Sequence, residues 1–127
     1  MKQILGRQKM GAQKFAYSLD NEPSLWSHTH SRIHPQMVGA KELVEIARLN
    51  WPRRLRMSIR VLQIFGPALF GFSAHVSLLG PDDWKNYSNQ YHWYVDYYLD
   101  QMKTASTTAG KRLLDVLDFV LVFRSNG

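Results

Sequence analysis

The stretch VLQIFGPALFGFSAHVSLLG, from Val61 to Gly80, runs for 20 residues without a formally charged side chain. The hydrocarbon core of a bilayer, about 30 Å thick, takes about 20 helical residues to cross. Arginines crowd the residues before the stretch: Arg53, Arg54, Arg56 and Arg60. A segment rich in Trp and Tyr follows it, and such flanks are typical of a spanning helix. The sequence therefore predicts one transmembrane helix over about 52–79, kinked at Pro67.

The alternative for the same stretch is a buried core helix or a pair of strands broken at Gly66-Pro67. Gly and Pro weaken a helix in water, whereas membrane spans tolerate both because neighbouring helices satisfy the freed backbone groups. Apolar runs of about 10–14 residues favour a buried helix, and a run of 20 favours a span.

Charge is distributed unevenly along the chain, whose formal net charge is +6. Residues 1–60 hold 11 of the 16 Lys and Arg and 4 of the 10 Asp and Glu. Cytoplasmic or matrix loops carry an excess of cations, so the N-terminal part is expected on the cytoplasmic or matrix side of the membrane. The first 19 residues are basic and free of acids, a partial match to a mitochondrial targeting segment, with an ordinary basic tail as the alternative.

The remaining segments complete a mainly α prediction. Lys41–Asn50 is expected to be a short amphipathic helix, whose inward residues are Leu43, Ile46, Ala47 and Leu49. Residues 20–39 read as an irregular connector because turn-forming residues dominate them. An aromatic amphipathic helix is predicted over 83–103, then a linker over 104–110 and a short apolar helix over 111–123. The predicted divisions are a basic matrix-side arm (1–60), the span (61–80) and a C-terminal part (81–127).

Candidate site residues follow from the predicted span. Lipid-headgroup contacts are predicted for Arg53, Arg54, Arg56 and Arg60, since long cationic side chains reach toward headgroups. The helix-packing face is predicted to comprise Gln63, Gly66, Ser73 and Ser77, because small residues let helices approach closely. His75, within the apolar run, is a candidate haem ligand, with a hydrogen bond to a neighbouring helix as the alternative.

No pattern of residues predicts catalysis or a metal site. His28, His30 and His34 lie in the predicted connector, with no acidic residue nearer than Glu22, and are interpreted as a polar loop without metal. The chain has no cysteine, which excludes disulfides and thiolate-bound metals. A glycine-rich phosphate loop, GxSxG and HExxH are all absent from the sequence. The prediction is a protein that is not an enzyme.

The basic arm, single kinked span and aromatic segment together resemble the small single-span accessory subunits of mitochondrial respiratory complexes or ATP synthase. The resemblance implies a non-catalytic subunit of the inner membrane that braces core subunits and binds lipid. Its partners would be other subunits and membrane lipids rather than nucleic acid. It would carry no cofactor other than a bound phospholipid such as cardiolipin.

Two further interpretations stay open. His92, Asp96 and Tyr97 are similar to a His and Asp-Tyr arrangement in the membrane-anchor subunits of succinate dehydrogenase, which implies a quinone contact at Asp96 and Tyr97. A soluble basic protein that binds RNA through its arginines, such as a mitochondrial ribosomal subunit, is the other alternative.

Overall fold

The computed structural model describes residues 15–19, 21–49 and 62–120. Within these ranges, strands and helices alternate along the chain. In order they are β1 (Phe15–Ser18), a 3-10 helix (Pro23–Leu25), α1 (Trp26–Thr29), α2 (Ala40–Leu49), β2 (Leu62–Phe65), β3 (Leu69–Phe70), α3 (Gly71–Ser77), a 3-10 helix (Trp84–Asn86), α4 (Tyr94–Ala109) and β4 (Phe119–Val120).

The strands are all parallel to their neighbours. β1 pairs with β2 in the register Phe15↔Leu62 to Ser18↔Phe65, and β3 pairs with β4. On its other side β2 meets the segment around Val116, whose amide donates to the Ile64 carbonyl at 3.1 Å. Parallel neighbours require a crossover connection, usually a helix. Because α2 follows β1 and α4 precedes β4, the described chain is a series of strand–helix–strand units, an α/β arrangement rather than a mainly α one.

The predicted transmembrane helix over 52–79 is wrong for the part that the structure describes. Residues 62–79 form β2, a break at Gly66-Pro67, β3 and α3, and no helix of the described ranges is long and apolar enough to cross a membrane. Ile64 and residues 66–69 of this stretch are buried, and chain that is buried within a parallel sheet reads as an apolar run. The lack of charge therefore reflects burial inside protein. The stretch begins with two strands broken at Gly66-Pro67, as the alternative predicted.

Helix α2 confirms the short amphipathic helix predicted over Lys41–Asn50. Leu43 and Ala47 are each 2% exposed, as predicted, but Ile46 is 39% exposed and does not face the core. The buried face continues through Val44, which gives the one-sided apolar stripe of a surface helix. This face packs on α4.

Helix α4 departs from its prediction at both ends. It begins at Tyr94 rather than near Asp83, and it continues to Ala109 through the predicted linker. The hydroxyl of Ser106 donates to the Met102 carbonyl at 2.7 Å, and two threonines of this turn do the same four residues back. The hydroxyl groups of this Ser/Thr-rich segment are thus bonded within the helix itself. The predicted apolar helix over 111–123 is also wrong, because β4 lies within it.

The hydrophobic core lies between the strands and the helices α2, α3 and α4. Its aromatic contribution comes from α4, where Tyr94 and Tyr98 are fully buried and Tyr97 is 5% exposed. Their spacing places them on one face of the helix. The aromatic residues thus build a core rather than an interface with membrane. The other members of the core are Leu19, Val38, Ala40, Leu43, Val44, Ala47, Ile64, Leu69, Ala74, Leu78, Met102 and Leu113.

Candidate functional site

The segments that follow β1 and β2 remain paired beyond the ends of the strands. The amide of Leu19 donates to the Phe65 carbonyl at 2.8 Å, and the amide of Glu22 donates to the Ala68 carbonyl at 2.7 Å. In sheets of parallel strands, ligands and catalytic residues gather at the carboxyl ends of the strands. We call this end, formed by residues 21–22 and 68–72, the carboxyl edge.

Glu22 occupies the carboxyl edge in a strained backbone conformation. Its φ of 48° and ψ of 54° lie in the left-handed region, which costs a non-glycine residue about 1–2 kcal/mol. The bond to Ala68 holds its amide, and its carbonyl accepts the amide of Leu25 at 2.8 Å. Pro23, buried, starts the 3-10 helix directly afterwards. Strain fixed from both sides is characteristic of functional positions, so Glu22 is the first candidate.

Close approach of the two segments requires Gly66. Its φ is +134°, and a Cβ at this position would lie 2.8 Å from the Leu19 Cβ and 3.2 Å from the Leu19 backbone nitrogen. Only glycine combines that conformation with that distance. The indole of Trp26 adds a bond to the Asn21 carbonyl at 3.4 Å, which ties helix α1 to the same edge.

His75 connects α3 to β4 beside the carboxyl edge. It is 3% exposed, and its Nδ1 lies 2.8 Å from the Gly71 carbonyl oxygen. Its ring stacks on Phe119 with a centroid distance of 4.2 Å and an interplanar angle of 5°. Its Nε2 is buried and has no hydrogen-bond partner among the described residues.

The structure separates the residues predicted to contact haem or quinone. Asp96 is exposed in the first turn of α4 and accepts the amide of Trp93 at 3.3 Å. Tyr97 is in the core, stacked on Tyr87 at 4.3 Å, and burial raises its pKa. No hydrogen bond or ring contact joins these two described residues to His75. The haem or quinone role stays a prediction without a shared site.

The residues predicted to pack the span lie on two different elements. Gln63 is exposed on β2, opposite Ala16, whereas Ser73 and Ser77 belong to α3. Gly66 lies in the break between β2 and β3, so these four residues share no helix face. Their packing role stays a prediction. The arginines predicted to contact lipid lie outside the described residues: Arg53, Arg54, Arg56 and Arg60.

The three histidines of the predicted connector, His28, His30 and His34, each contact a different residue. His34 Nε2 lies 2.9 Å from a Glu42 carboxylate oxygen, and this hydrogen bond raises the pKa of His34. His28 contacts Ser27 and His30 contacts Thr29 instead. The described part of the chain contains no group of three or more His, Asp or Glu side chains that could hold a metal ion.

Comparison with known proteins identifies a family of carbohydrate-active enzymes. The sequence profile of glycoside hydrolase family 44 matches residues 1–122. Endoglucanase A of Paenibacillus lautus is 52% identical over 103 residues, which are 81% of this chain and 15% of that protein. Beta-mannanase/endoglucanase A of Caldicellulosiruptor saccharolyticus is 44% identical over 102 residues, 80% of this chain and 8% of that protein.

Solved structures agree with the sequence matches. A family 44 xyloglucanase of Paenibacillus polymyxa has 48% identity and a TM-score of 0.80, with 84% of this chain and 21% of that chain covered. A family 44 endoglucanase from Clostridium thermocellum has 50% identity, the same TM-score and the same coverage. This chain therefore spans about a fifth or less of the length of these relatives.

These matches overturn the function predicted from the sequence. The resemblance to a mitochondrial accessory subunit is wrong, as are the membrane-complex partners, the inner-membrane location and the prediction that the protein is not an enzyme. Neither the RNA-binding alternative nor the succinate dehydrogenase alternative is supported. The physical reason is that an uncharged run and an aromatic segment report burial, and burial in a protein core produces the same pattern as burial in lipid.

Sequence reasoning also missed Glu22 as a candidate functional residue. It lay in the irregular connector, where turn-forming residues hid its position at the end of β1. The available signal was the order of the residues: the short segment FAYS, then Leu19, Asp20, Asn21, Glu22 and Pro23. An acid that closely follows a strand and directly precedes proline is placed near the strand's carboxyl end, where catalytic residues gather.

Proposed function

Because this chain belongs to glycoside hydrolase family 44, we propose that it is the part of an endo-acting β-glucan hydrolase that carries a catalytic carboxylate, Glu22. The observation that supports the proposal is the fixed backbone of Glu22 at the carboxyl edge, bonded to Ala68 and followed by Pro23. Relatives named endoglucanase and xyloglucanase cleave polysaccharide chains, and the same class of substrate is proposed here.

Hydrolysis of a glycosidic bond uses two carboxyl groups. One protonates the oxygen of the leaving sugar, and the other attacks the anomeric carbon or activates a water molecule. Glu22 supplies one of the two. We place the second outside the described residues, because this chain corresponds to 21% of the length of the solved relatives.

The surroundings of Glu22 explain how its carboxylate is positioned. Its main chain cannot rotate freely, because its amide is bonded to Ala68 and its carbonyl to Leu25. Pro23 also has a fixed φ. The side chain is partly buried, and it starts from a fixed point of the backbone at the carboxyl edge. Preorganised reacting groups avoid the entropy cost of being oriented during the reaction.

An exchange of matching segments tests this proposal. The 103 matching residues of the Paenibacillus lautus endoglucanase, 52% identical, would be replaced by this chain. Reducing ends released from carboxymethyl cellulose and xyloglucan would then be measured. We expect Glu22→Gln to lower kcat by about 10²–10⁴-fold and to leave KM nearly unchanged, because the amide keeps the shape of the side chain but cannot transfer a proton or attack.

The matched control is Glu45→Gln on α2, where the carboxylate pairs with Lys41 at 3.6 Å. That variant should keep full activity. If Glu22→Gln were as active as the control, Glu22 would not be a catalytic residue. Azide added to a Glu22→Ala variant would identify its role, since an anomer-specific glycosyl azide product distinguishes a lost nucleophile from a lost acid.

A further inference from the structure

We propose that Phe72 and Trp93 form a stacking platform for one pyranose ring of the polysaccharide, beside the carboxyl edge. The inference rests on the proposed function, to which it adds a binding subsite. Phe72 is 69% exposed and Trp93 is 37% exposed. Their rings meet edge to face, with centroids 5.6 Å apart and planes at 82°.

Both residues lie at the same end of the strands as Glu22. Phe72 follows β3 almost at once, within the first turn of α3. Trp93 is the residue before α4, whose far end leads through Gly110 back to the strand segment that pairs with β2. In a strand–helix–strand unit, the helix runs opposite to the strands that it connects. The first turn of α4 is therefore level with the carboxyl edge.

The two rings are held in place although they are exposed. The backbone amide of Trp93 donates to the Asp96 carboxylate at 3.3 Å, and the ring of His92 stacks on the indole at 5.8 Å and 25°. The other aromatic residues of this segment belong to the core or pack against it: Trp84, Tyr87, Tyr91, Tyr94, Tyr97 and Tyr98. Phe72 and Trp93 form an exposed aromatic pair that the core does not use.

The chemistry of the pair suits a neutral sugar ring. The hydroxyl groups of a β-linked glucosyl unit point outward around its equator, and its two faces present C–H groups. The face of an aromatic ring carries partial negative charge and attracts the polarised hydrogens of such C–H groups. Around the rings, Ser73 and Asp96 are exposed and provide hydrogen-bonding groups.

Gly71, at the carboxyl edge, directly precedes Phe72, and the space beside its backbone is uncrowded. A Cβ added at Gly71 would meet no heavy atom within 4 Å. The position of the aromatic pair at the same end of the strands as Glu22 favours a polysaccharide as the occupant over a protein partner.

Binding of cellohexaose to the full 127-residue chain, measured by isothermal titration calorimetry, tests the platform. We expect Trp93→Leu and Phe72→Leu to weaken binding about tenfold, because leucine keeps an apolar side chain but has no flat face. Trp93→Phe and Phe72→Tyr should stay within about twofold, since they keep a ring. Phe15→Leu is the matched control, because Phe15 is 50% exposed at the opposite end of β1.

The proposal would be overturned if Trp93→Leu and Phe72→Leu bound cellohexaose as tightly as the Phe15→Leu control and the unchanged chain. An absence of measurable cellohexaose binding to the unchanged chain would also overturn it. Circular dichroism of each variant verifies folding, and the ring-retaining variants separate loss of the platform from loss of the fold.

The catalytic proposal and the platform fail in different measurements. Glu22→Gln should leave the cellohexaose affinity of the chain nearly unchanged, whereas it lowers kcat in the segment exchange. If the segment-exchange enzyme stayed active with Glu22→Gln while Trp93→Leu weakened cellohexaose binding, the catalytic assignment would be lost and the platform kept. If Glu22→Gln inactivated that enzyme while Trp93→Leu bound cellohexaose normally, the platform would be lost and the catalytic assignment kept.

Discussion

The carboxylate of Asp83 accepts the backbone amide of Ala40, the first residue of α2, at 2.8 Å. Its second oxygen accepts the amide of Lys41 at 3.0 Å. The first amides of a helix have no partner within the helix, and the positive end of the helix dipole favours an acid there. An acid from the segment between α3 and α4 thus caps a helix that lies far earlier in the sequence and holds the two together.

Removal of this cap should destabilise the fold. We expect Asp83→Ala to lower the free energy of unfolding by about 1–2 kcal/mol, and Asp83→Asn to cost less because the amide oxygen still accepts one bond. Urea denaturation followed by circular dichroism gives the values. Asp82→Ala, at the exposed neighbouring position, should change stability by less than about 0.5 kcal/mol. Equal effects of the two alanines would contradict a capping role.

Two glycine substitutions separate backbone strain from steric collision. Gly66→Ala meets both, with φ at +134° and Leu19 Cβ 2.8 Å from the new carbon, and should cost about 3 kcal/mol or more. Gly110→Ala meets only strain, since φ is +64° and no heavy atom lies within 4 Å. It should cost about 1–2 kcal/mol. Thermal unfolding of both variants tests the order, and a more damaging Gly110→Ala would refute the packing of Gly66 on Leu19.

Two buried tyrosines should respond oppositely to loss of the hydroxyl. The Tyr94 hydroxyl donates to the Ala40 carbonyl at 3.3 Å, so Tyr94→Phe should cost about 1 kcal/mol. The Tyr98 hydroxyl is buried without a partner among the described residues. Its unmade hydrogen bond destabilises the folded state, so Tyr98→Phe should leave stability unchanged or raise it by up to about 1 kcal/mol. A marked loss in Tyr98→Phe would indicate a partner at that hydroxyl.

The ion pair of His34 and Glu42 makes stability depend on pH. The hydrogen bond that His34 Nε2 donates to the Glu42 carboxylate raises the pKa of His34 above 6.5 in the folded state. Protonated His34 therefore stabilises the fold, fully at pH values below 6.5 and progressively less as the pH rises through the raised pKa. His34→Gln should lower the melting temperature more below pH 6.5 than at about pH 9.

The control for that comparison is His28→Gln, because His28 contacts Ser27 instead of a carboxylate. A His34→Gln effect of equal size at both pH values would show that the pair contributes through packing on Trp26, whose ring lies 5.5 Å from that of His34, rather than through charge.

Local sequence patterns correctly predicted elements that depend mainly on the spacing of neighbouring residues. The spacing of Leu43 and Ala47 predicted α2, and the structure confirms it. Hydropathy could not distinguish a lipid environment from the interior of a parallel sheet, because both exclude charge from Ile64 and its neighbours. The break at Gly66-Pro67 was the better evidence, since it interrupts any regular element in water.

The candidate site could not be located from local patterns, because it depends on pairing between distant segments. No residue near Glu22 in the sequence predicts that its amide donates a hydrogen bond to the Ala68 carbonyl. The bond exists because β1 and β2 are parallel neighbours, and no motif in the sequence indicates that pairing. Likewise, the contact between Phe72 and Trp93 depends on how α3 and α4 are placed.

The segment between α3 and α4 has one residue that attaches it to α2 and another that is exposed. This separation matters for any redesign of the proposed substrate preference. Asp83 fastens the segment to α2, while Trp93 at its end faces outward. Glu22 belongs to a different strand–helix unit and is held by contacts that the segment does not make. Under the function proposed above, a library that randomises the outward positions and keeps Asp83 would test tolerance for branched or substituted glucans without altering Glu22.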